Sequence, residues 1–157
     1  MMQLLISEVL DRFEAAKTKE EKIAVLRQNE TPMLKVIMRL NFDPKLKMDL
    51  PEGEPPYKKE KDVPAGHAPT TLIKEYRKFY IWFTPQPGLT KFKKESLFVE
   101  LLESIHHTEA DVLVLAKDCK LSKKYKSLKE DIVREAYPNT LSEKVKVAVK
   151  EKSLPLE

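Results

Sequence analysis

Apolar residues recur at helical spacing through the first quarter of the chain, which is the pattern of amphipathic helices. The first stripe predicts a helix from about Leu4 to Ala16. Thr18 is expected to cap a second helix, with Glu21 as its capping-box partner. Pro32 suits the first turn of a third helix, because that turn leaves its N–H groups unpaired. The inner faces are expected to carry Leu4, Leu5, Val9, Leu10, Phe13, Ile23, Val25, Leu26, Leu34, Ile37, Met38 and Leu40.

The helical pattern stops between Asn41 and Pro69, where prolines recur. Proline fixes the backbone and removes a hydrogen-bond donor, so this stretch is expected to be a long loop laid over the helices. Apolar residues within the loop are expected to hold it against the core. These are Leu46, Met48, Leu50 and Tyr57.

The helical pattern returns after the loop and predicts four more helices. They are expected from Thr70 or Thr71 to Phe83, from Thr90 or Lys91 onward, from Glu109 to Asp118 with Thr108 as N-cap, and from about Ser127 to Tyr137. Their inner faces are expected to carry Leu72, Ile73, Tyr76, Phe79, Tyr80, Phe83, Phe92, Leu97, Phe98, Leu101, Leu102, Ile105, Val112, Leu113, Leu115 and Ala116.

The pattern as a whole predicts an all-α fold, a compact multi-helix domain of about seven helices. The domain is expected to span residues 1–138 with its loop at 41–69. Residues 139–157 form a tail rich in lysine and valine, in which a short helix from Ser142 to about Lys150 fits the sequence.

Composition narrows the classes of function. The chain has 157 residues, a formal net charge of +4 and a single cysteine, so it can form neither an internal disulfide nor a cysteine-based zinc site. Its start lacks a signal-peptide pattern, and no apolar stretch reaches membrane-spanning length, so a cytoplasmic protein is expected. The glycines, Gly53, Gly66 and Gly88, are too far apart for a phosphate-cradling loop or a dinucleotide fingerprint.

A lysine-rich turn follows the sixth predicted helix. Between Lys117 and Lys129 there are six lysines and one acidic residue, Asp118. A cluster of one sign where two helices meet is typical of a surface that binds phosphates. A solvated face that promotes solubility is the alternative, and charge alone does not separate the two.

Other candidate chemistry is weaker. His106 and His107 are adjacent and would point about 100° apart on a helix, which does not suit a shared metal ion. A helix junction, in which Glu109 interacts with the dipole at the helix N-terminus, is therefore favoured over a metal site. Cys119 has cationic lysine neighbours, but no pattern of partners supports a nucleophile. The aromatic residues around Trp82 suit a base-stacking platform or core packing, and packing is favoured. No catalytic residue, metal site or cofactor is predicted.

The order of the helices resembles the N-terminal DNA-binding domain of ATP-dependent DNA ligases, especially the short phage-type enzymes. The resemblance rests on residues 6–10, 18–26 and 34–40, the proline-rich loop, and residues 109–113, 117–119 and 131–138. It covers about nine tenths of the chain. The chain is also similar to small proteins of large contractile-tailed bacteriophages, which implies a phage source.

The resemblance implies a helical clamp that grips the phosphates of both DNA strands without reading sequence. The Asp-x-x-Cys-Gly turn of the ligases corresponds to residues 118–122, where the glycine is missing, the cysteine is shifted and lysines are added. The nucleotidyltransferase domain has no counterpart. We therefore expect a non-enzymatic, sequence-nonspecific duplex DNA-binding protein. The predicted contacts are Lys117, Lys120, Lys123, Lys124, Lys126 and Lys129, a second cluster of Lys91, Lys93 and Lys94, and also Lys35 and Arg39.

The main alternative at the level of sequence is an adaptor, and an enzyme that uses Cys119 or the histidine pair has the least support. A ligase-like scaffold could instead serve as an adaptor or inhibitor that docks on a host or phage protein. The terminal segment Leu154–Glu157 has a distant likeness to the short apolar peptides that dock on sliding clamps, although an ordinary frayed terminus is favoured.

Overall fold

The computed structural model describes residues 4–43, 45–59, 62–64, 67–84, 86–138 and 140–141. Within these ranges the chain forms eight α-helices and no β-strand, so the all-α prediction is confirmed. None of the described helices is both long and apolar enough to cross a bilayer. The helices are α1 Ile6–Ala15, α2 Lys19–Gln28, α3 Pro32–Phe42, α4 Tyr80–Phe83, α5 Lys91–Ser104, α6 His107–Lys117, α7 Leu121–Lys124 and α8 Glu130–Ala136.

Local capping signals define the starts of the second and third helices. The Thr18 hydroxyl accepts a hydrogen bond of 3.1 Å from the Glu21 N–H, as the sequence predicted for α2. Pro32 is the first residue of α3, as predicted, and the Thr31 hydroxyl accepts from the Leu34 N–H at 3.1 Å. The predicted starts of these helices are thus confirmed.

Helix α6 is the centre of the fold, since it packs against α1, α3, α5 and α7. Its side chains Ala110, Val112, Leu113 and Ala116 are all fully buried. Helix α2 completes the assembly by packing on α1 and α8. The core therefore surrounds one helix whose C-terminus leads directly into the lysine-rich turn.

The proline-rich loop is held against the core at the predicted apolar positions. Met48 is 7% exposed, and Leu46, Leu50 and Tyr57 pack on the core while half-buried. The backbone also contributes, because the Asp49 N–H donates to the Trp82 carbonyl at 2.7 Å. The described part of the loop is thus laid over the helices, as expected.

The predicted fourth helix is wrong as a single α-helix. Residues 72–75 form turns, Tyr76–Phe79 form a short 3-10 helix, and only then does α4 begin. Because the backbone changes from turns to a 3-10 helix and then to an α-helix, a constant period of 3.6 residues does not predict which side chains lie inside. Phe79 and Trp82 are buried, whereas Tyr80 is 58% exposed and Tyr76 39%, contrary to the expectation that both lie inside.

Helix α5 begins where predicted, but Phe92 does not lie on its inner face. Its side chain is 79% exposed, while Lys94 is buried. The first turn is offset from the stripe, because Phe92 lies about 120° around the helix from Phe98 at 3.6 residues per turn. Lys94 is the residue that continues the inner stripe through Phe98 and Leu101.

Two boundaries near the C-terminal third also differ from prediction. The N-cap of α6 is His106, not Thr108. The predicted seventh helix from Ser127 is shorter: α8 begins at Glu130, and the separate turn α7 precedes it. The tail beyond residue 141, including its predicted short helix and Leu154–Glu157, lies outside the described residues.

Candidate nucleic-acid interface

The lysine turn, residues 117–129, begins with a tight reversal at the end of α6. The Lys120 N–H donates to the Leu115 carbonyl at 2.7 Å, and the Cys119 N–H donates to the Ala116 carbonyl at 3.1 Å. Cys119 has a φ of 60°, the left-handed conformation that glycine usually supplies at this position. The pair of bonds is a Schellman motif, so the missing glycine has not abolished the turn.

Contacts with the core then fix the backbone of the turn. Leu121, Tyr125 and Leu128 are each 2% exposed or less. The Asn41 side-chain oxygen accepts from the Leu121 N–H at 2.9 Å. The Ser127 N–H donates to the Glu14 carboxylate at 3.1 Å. These contacts hold the segment from both α1 and α3.

The lysines beside these buried residues are exposed to solvent. Lys123, Lys124, Lys126 and Lys129 are exposed. Among the residues that the structure describes, none of the four has a carboxylate within ion-pair distance. The Lys124 ammonium lies 5.7 Å from the centre of the Tyr125 ring, within cation–π range. The turn therefore presents a group of cations on an anchored backbone.

Lys117 is engaged inside the molecule. Its side chain is only 4% exposed. The ammonium donates to the carbonyls of Pro51 at 2.9 Å and Gly53 at 3.1 Å, and to the Asp118 carboxylate at 2.7 Å. Asp118 in turn accepts from the Gly53 N–H at 3.0 Å. Lys117 and Asp118 thus bind the proline-rich loop to the end of α6, and Lys117 is not available to a ligand.

Lys120 is neither engaged inside the molecule, as Lys117 is, nor without an acidic neighbour. Its ammonium lies 3.8 Å from the Glu52 carboxylate, and both side chains are open to water, at 43% and 78% exposure. Such a pair is weak. Lys120 can therefore exchange its carboxylate partner for another anion.

The second predicted cluster is divided by the structure. Lys91 and Lys93 are exposed, but Lys94 is 5% exposed and its ammonium lies 2.8 Å from the Asp49 carboxylate. That hydrogen bond and the nearby positive charge lower the pKa of Asp49. Lys94 therefore ties the loop to α5, and only the first two lysines of the cluster face solvent.

Lys35 and Arg39 lie together along an open groove of about 600 Å³ on α3. Each already has an acidic neighbour: Lys35 lies 2.5 Å from Glu30, and the Arg39 Nε lies 3.7 Å from Asp43. The structure does not bring this pair into contact with the lysine turn through any described hydrogen bond or ion pair.

The histidine region is a helix junction. His106 Nδ1 lies 2.7 Å from the Thr108 hydroxyl, and Nε2 lies 2.8 Å from the Val63 carbonyl. The described residues contain no group of three or more side chains placed to hold a metal ion. The favoured interpretation of this region as a junction agrees with these contacts.

Glu109 has a larger role than the sequence suggested. It is fully buried, and its carboxylate accepts hydrogen bonds of 3.1 Å from the backbone N–H groups of both Ile6 and Leu72. Burial raises the pKa of Glu109, and the two hydrogen bonds oppose that rise. One side chain thus joins the starts of α1, α6 and the turn at residue 72. The sequence signals only an acid near a helix start, because its partners are remote along the chain.

These features define a class: an all-α protein with an anchored, exposed basic turn. The model of DUF6433, a family of unknown function, matches residues 9–123, and the chain belongs to that family. A comparison with curated proteins gave no match. The matched stretch includes most of α1, all of α2 to α6, the proline-rich loop and the first part of the lysine turn.

Proposed function

We propose that the chain is a non-enzymatic protein that binds duplex DNA through the phosphate backbone without reading sequence. The observation that carries the proposal is the group of exposed lysines, Lys123, Lys124, Lys126 and Lys129, on a backbone fixed by buried neighbours. Lysine side chains are long and strongly charged, so they suit contacts that position a protein on DNA without specifying bases.

The anchoring favours a ligand over a purely solubilising role. Leu121, Tyr125 and Leu128 alternate with the lysines, so each ammonium projects from the same short segment. Concentrating like charges is unfavourable unless counter-ions or a polyanion neutralise them. A phosphate backbone supplies regularly spaced negative charge, and release of its counter-ions would drive binding.

The test is a charge reversal with a matched control. A variant with Lys123→Glu, Lys124→Glu and Lys126→Glu is compared with one carrying Lys17→Glu, Lys45→Glu and Lys74→Glu, which are exposed lysines on other segments. Both variants have the same net charge. Affinity for duplexes of unrelated sequence is measured by fluorescence anisotropy over a range of salt concentrations.

We expect the first variant to bind all duplexes more weakly than the control variant. The slope of log affinity against log salt should fall by about 0.9 for each phosphate that the protein no longer neutralises. Helical circular dichroism should be unchanged, because the replaced side chains are exposed. Equal binding by the two variants would contradict the proposal and leave the turn as a solvated face or a protein-docking surface.

The proposal places this activity in the cytoplasm on a phage genome, in keeping with the resemblance to ligase DNA-binding domains and phage proteins. A role in replication, repair or genome handling would follow from such binding. Because the sequence contains no Lys-x-Asp-Gly arrangement of the kind that a nucleotidyl-transferring lysine uses, incubation with radiolabelled ATP and magnesium should leave the protein unlabelled. Covalent labelling would overturn the non-enzymatic part of the proposal.

A further inference from the structure

Phe92 is the most exposed of the large hydrophobic side chains that the structure describes. It is 79% exposed, compared with 58% for Tyr80 and 39% for Tyr76. Each tyrosine has a hydroxyl that water can solvate, whereas the phenylalanine ring is apolar throughout. Single exposed apolar side chains are common on protein surfaces, so the significance of Phe92 depends on the backbone that carries it and on its charged neighbours.

The backbone that carries Phe92 is fixed. The Thr90 hydroxyl accepts from the Lys93 N–H at 3.1 Å and caps α5. Two residues beyond Phe92, the Lys94 carbonyl accepts a hydrogen bond of 3.1 Å from the indole N–H of the buried Trp82. The first turn of α5 is therefore held against α4, and the Phe92 ring projects from a rigid support into solvent.

Positive charge flanks the ring. Lys91 and Lys93 are exposed on either side of it, and the first turn of α5 contains no acidic residue. Of the acids nearby, Asp49 is paired with Lys94, and Glu95 follows exposed in the sequence. Lysines near a helix N-terminus are disfavoured by the helix dipole, so this local charge is complementary to an anion.

An exposed aromatic face between lysines suits a nucleic-acid strand whose bases are unpaired. The base stacks on the ring while the lysines contact the adjoining phosphates. A fully paired duplex offers no free base face. An interfacial membrane helix needs a broad apolar face, yet the flanking residues here are lysines and the next apolar side chain, Leu97, is packed on the core.

We propose that Phe92, with Lys91 and Lys93, forms a stacking site for an unpaired base of DNA, so that the preferred ligand is a duplex with an adjoining unpaired base. This inference rests on the proposed DNA-binding function and names the form of DNA. It assigns the lysine turn to the duplex and the first turn of α5 to the unpaired base.

The test compares a fully paired duplex, the same duplex with one bulged base, and a single strand, using the full chain and fluorescence anisotropy. Phe92→Ala should weaken binding of the bulged duplex and the single strand at least about fivefold, and leave the paired duplex unchanged. Phe92→Trp should keep the preference, because it retains an aromatic face. Tyr80→Ala is the matched control, since it removes another exposed ring, and it should alter none of the three affinities.

A second readout reports stacking directly. In Phe92→Trp, the fluorescence of the new tryptophan should be quenched when the single strand is added, whereas the buried Trp82 of the parent protein should not respond. Absence of quenching, or an equal effect of Phe92→Ala on all three DNAs, would overturn the inference. The inference would also be overturned if Phe92→Ala lost binding to anionic lipid vesicles while its affinity for DNA was unchanged.

The two proposals fail separately. If charge reversal in the lysine turn leaves duplex affinity unchanged, the duplex-binding proposal fails, while the Phe92-dependent preference for unpaired bases is still measured. If Phe92→Ala has no selective effect, the stacking site fails and duplex binding by the lysine turn stands. If the parent protein binds none of the three DNAs, both proposals fail.

Discussion

The side-chain oxygen of Asn41 accepts a hydrogen bond of 2.9 Å from the backbone N–H of Leu121. Asn41 lies in the last turn of α3 and is 8% exposed, while Leu121 begins α7 and is fully buried. The contact satisfies an N–H at the start of a helix and also fixes the course of the lysine turn.

Replacing Asn41 with alanine should therefore destabilise the protein. The Leu121 N–H would be left without its partner in a buried place, which costs about 1–3 kcal/mol. Urea denaturation measures the loss. Asn29→Ala is the control, because the half-buried Asn29 amide donates to the Val25 carbonyl at the end of α2, where water can replace it. If both variants lose the same stability, the Asn41 contact has no special role.

Signals within one turn of the chain allowed much of the fold to be predicted. Thr18 and Thr90 accept hydrogen bonds from N–H groups of their own helices, and Pro32 suits a first turn because it lacks an N–H. The starts of α2, α3 and α5 could therefore be inferred from adjacent residues. Even the loop followed from its prolines and its few apolar residues. The helices and their order are thus largely local properties.

The candidate site was less predictable, because its contacts join distant residues. Lys117 carries the same charge as its neighbours, yet the carbonyls of Pro51 and Gly53 take it out of the exposed cluster. Phe92 belongs to the apolar pattern of the sequence but points away from the inner stripe. A stricter projection of α5 around its axis would have found Phe92, whereas no local signal identifies the partners of Lys117.

Cys119 offers a test of the turn at the end of α6. Its φ of 60° is unfavourable for a residue with a β-carbon and natural for glycine. Cys119→Gly should raise the free energy of unfolding by about 0.5–1 kcal/mol, even though it removes the hydrogen bond between the cysteine sulfur and the Leu40 carbonyl. Cys119→Val should lower it, because a branched side chain tolerates this conformation poorly. Thermal denaturation of the two variants measures these changes. A stabilising effect of Cys119→Val would contradict the left-handed conformation of residue 119.

The raised pKa of Glu109 predicts how the stability of the protein depends on pH. Burial raises its pKa in the folded protein above that in the unfolded chain, so the folded state binds the proton more tightly. The contribution of Glu109 to stability is then fully present below the unfolded pKa and is lost as the pH rises through the folded pKa. Glu109→Gln removes this titration.

The free energy of unfolding of the parent, measured by urea denaturation at several pH values, should therefore fall relative to that of Glu109→Gln as the pH rises. The opposite trend would mean that the hydrogen bonds from Ile6 and Leu72 stabilise the carboxylate more than burial disfavours it. Glu20→Gln provides the control, since Glu20 is exposed at the start of α2 and its replacement should leave a nearly constant difference.

The Glu52 carboxylate, 3.8 Å from the Lys120 ammonium, should limit the positive field of the lysine turn. Glu52→Lys removes that acid and adds a cation beside the turn. Under the proposed function, duplex affinity should rise, and the slope of log affinity against log salt should steepen by about 0.9 for each additional phosphate that is neutralised. Stability should change little, because exposed ion pairs contribute only about 0–1 kcal/mol.

Glu20→Lys makes the same change in net charge on α2 and serves as the control for that experiment. A larger rise in affinity for Glu52→Lys would locate the effect at the turn, since long-range attraction alone depends on total charge and is screened by salt. Equal rises in duplex affinity in the two variants would mean that the effect depends on net charge alone. An unchanged affinity in Glu52→Lys would count against Lys120 as a phosphate contact, because its nearest competing acid would have been removed without consequence.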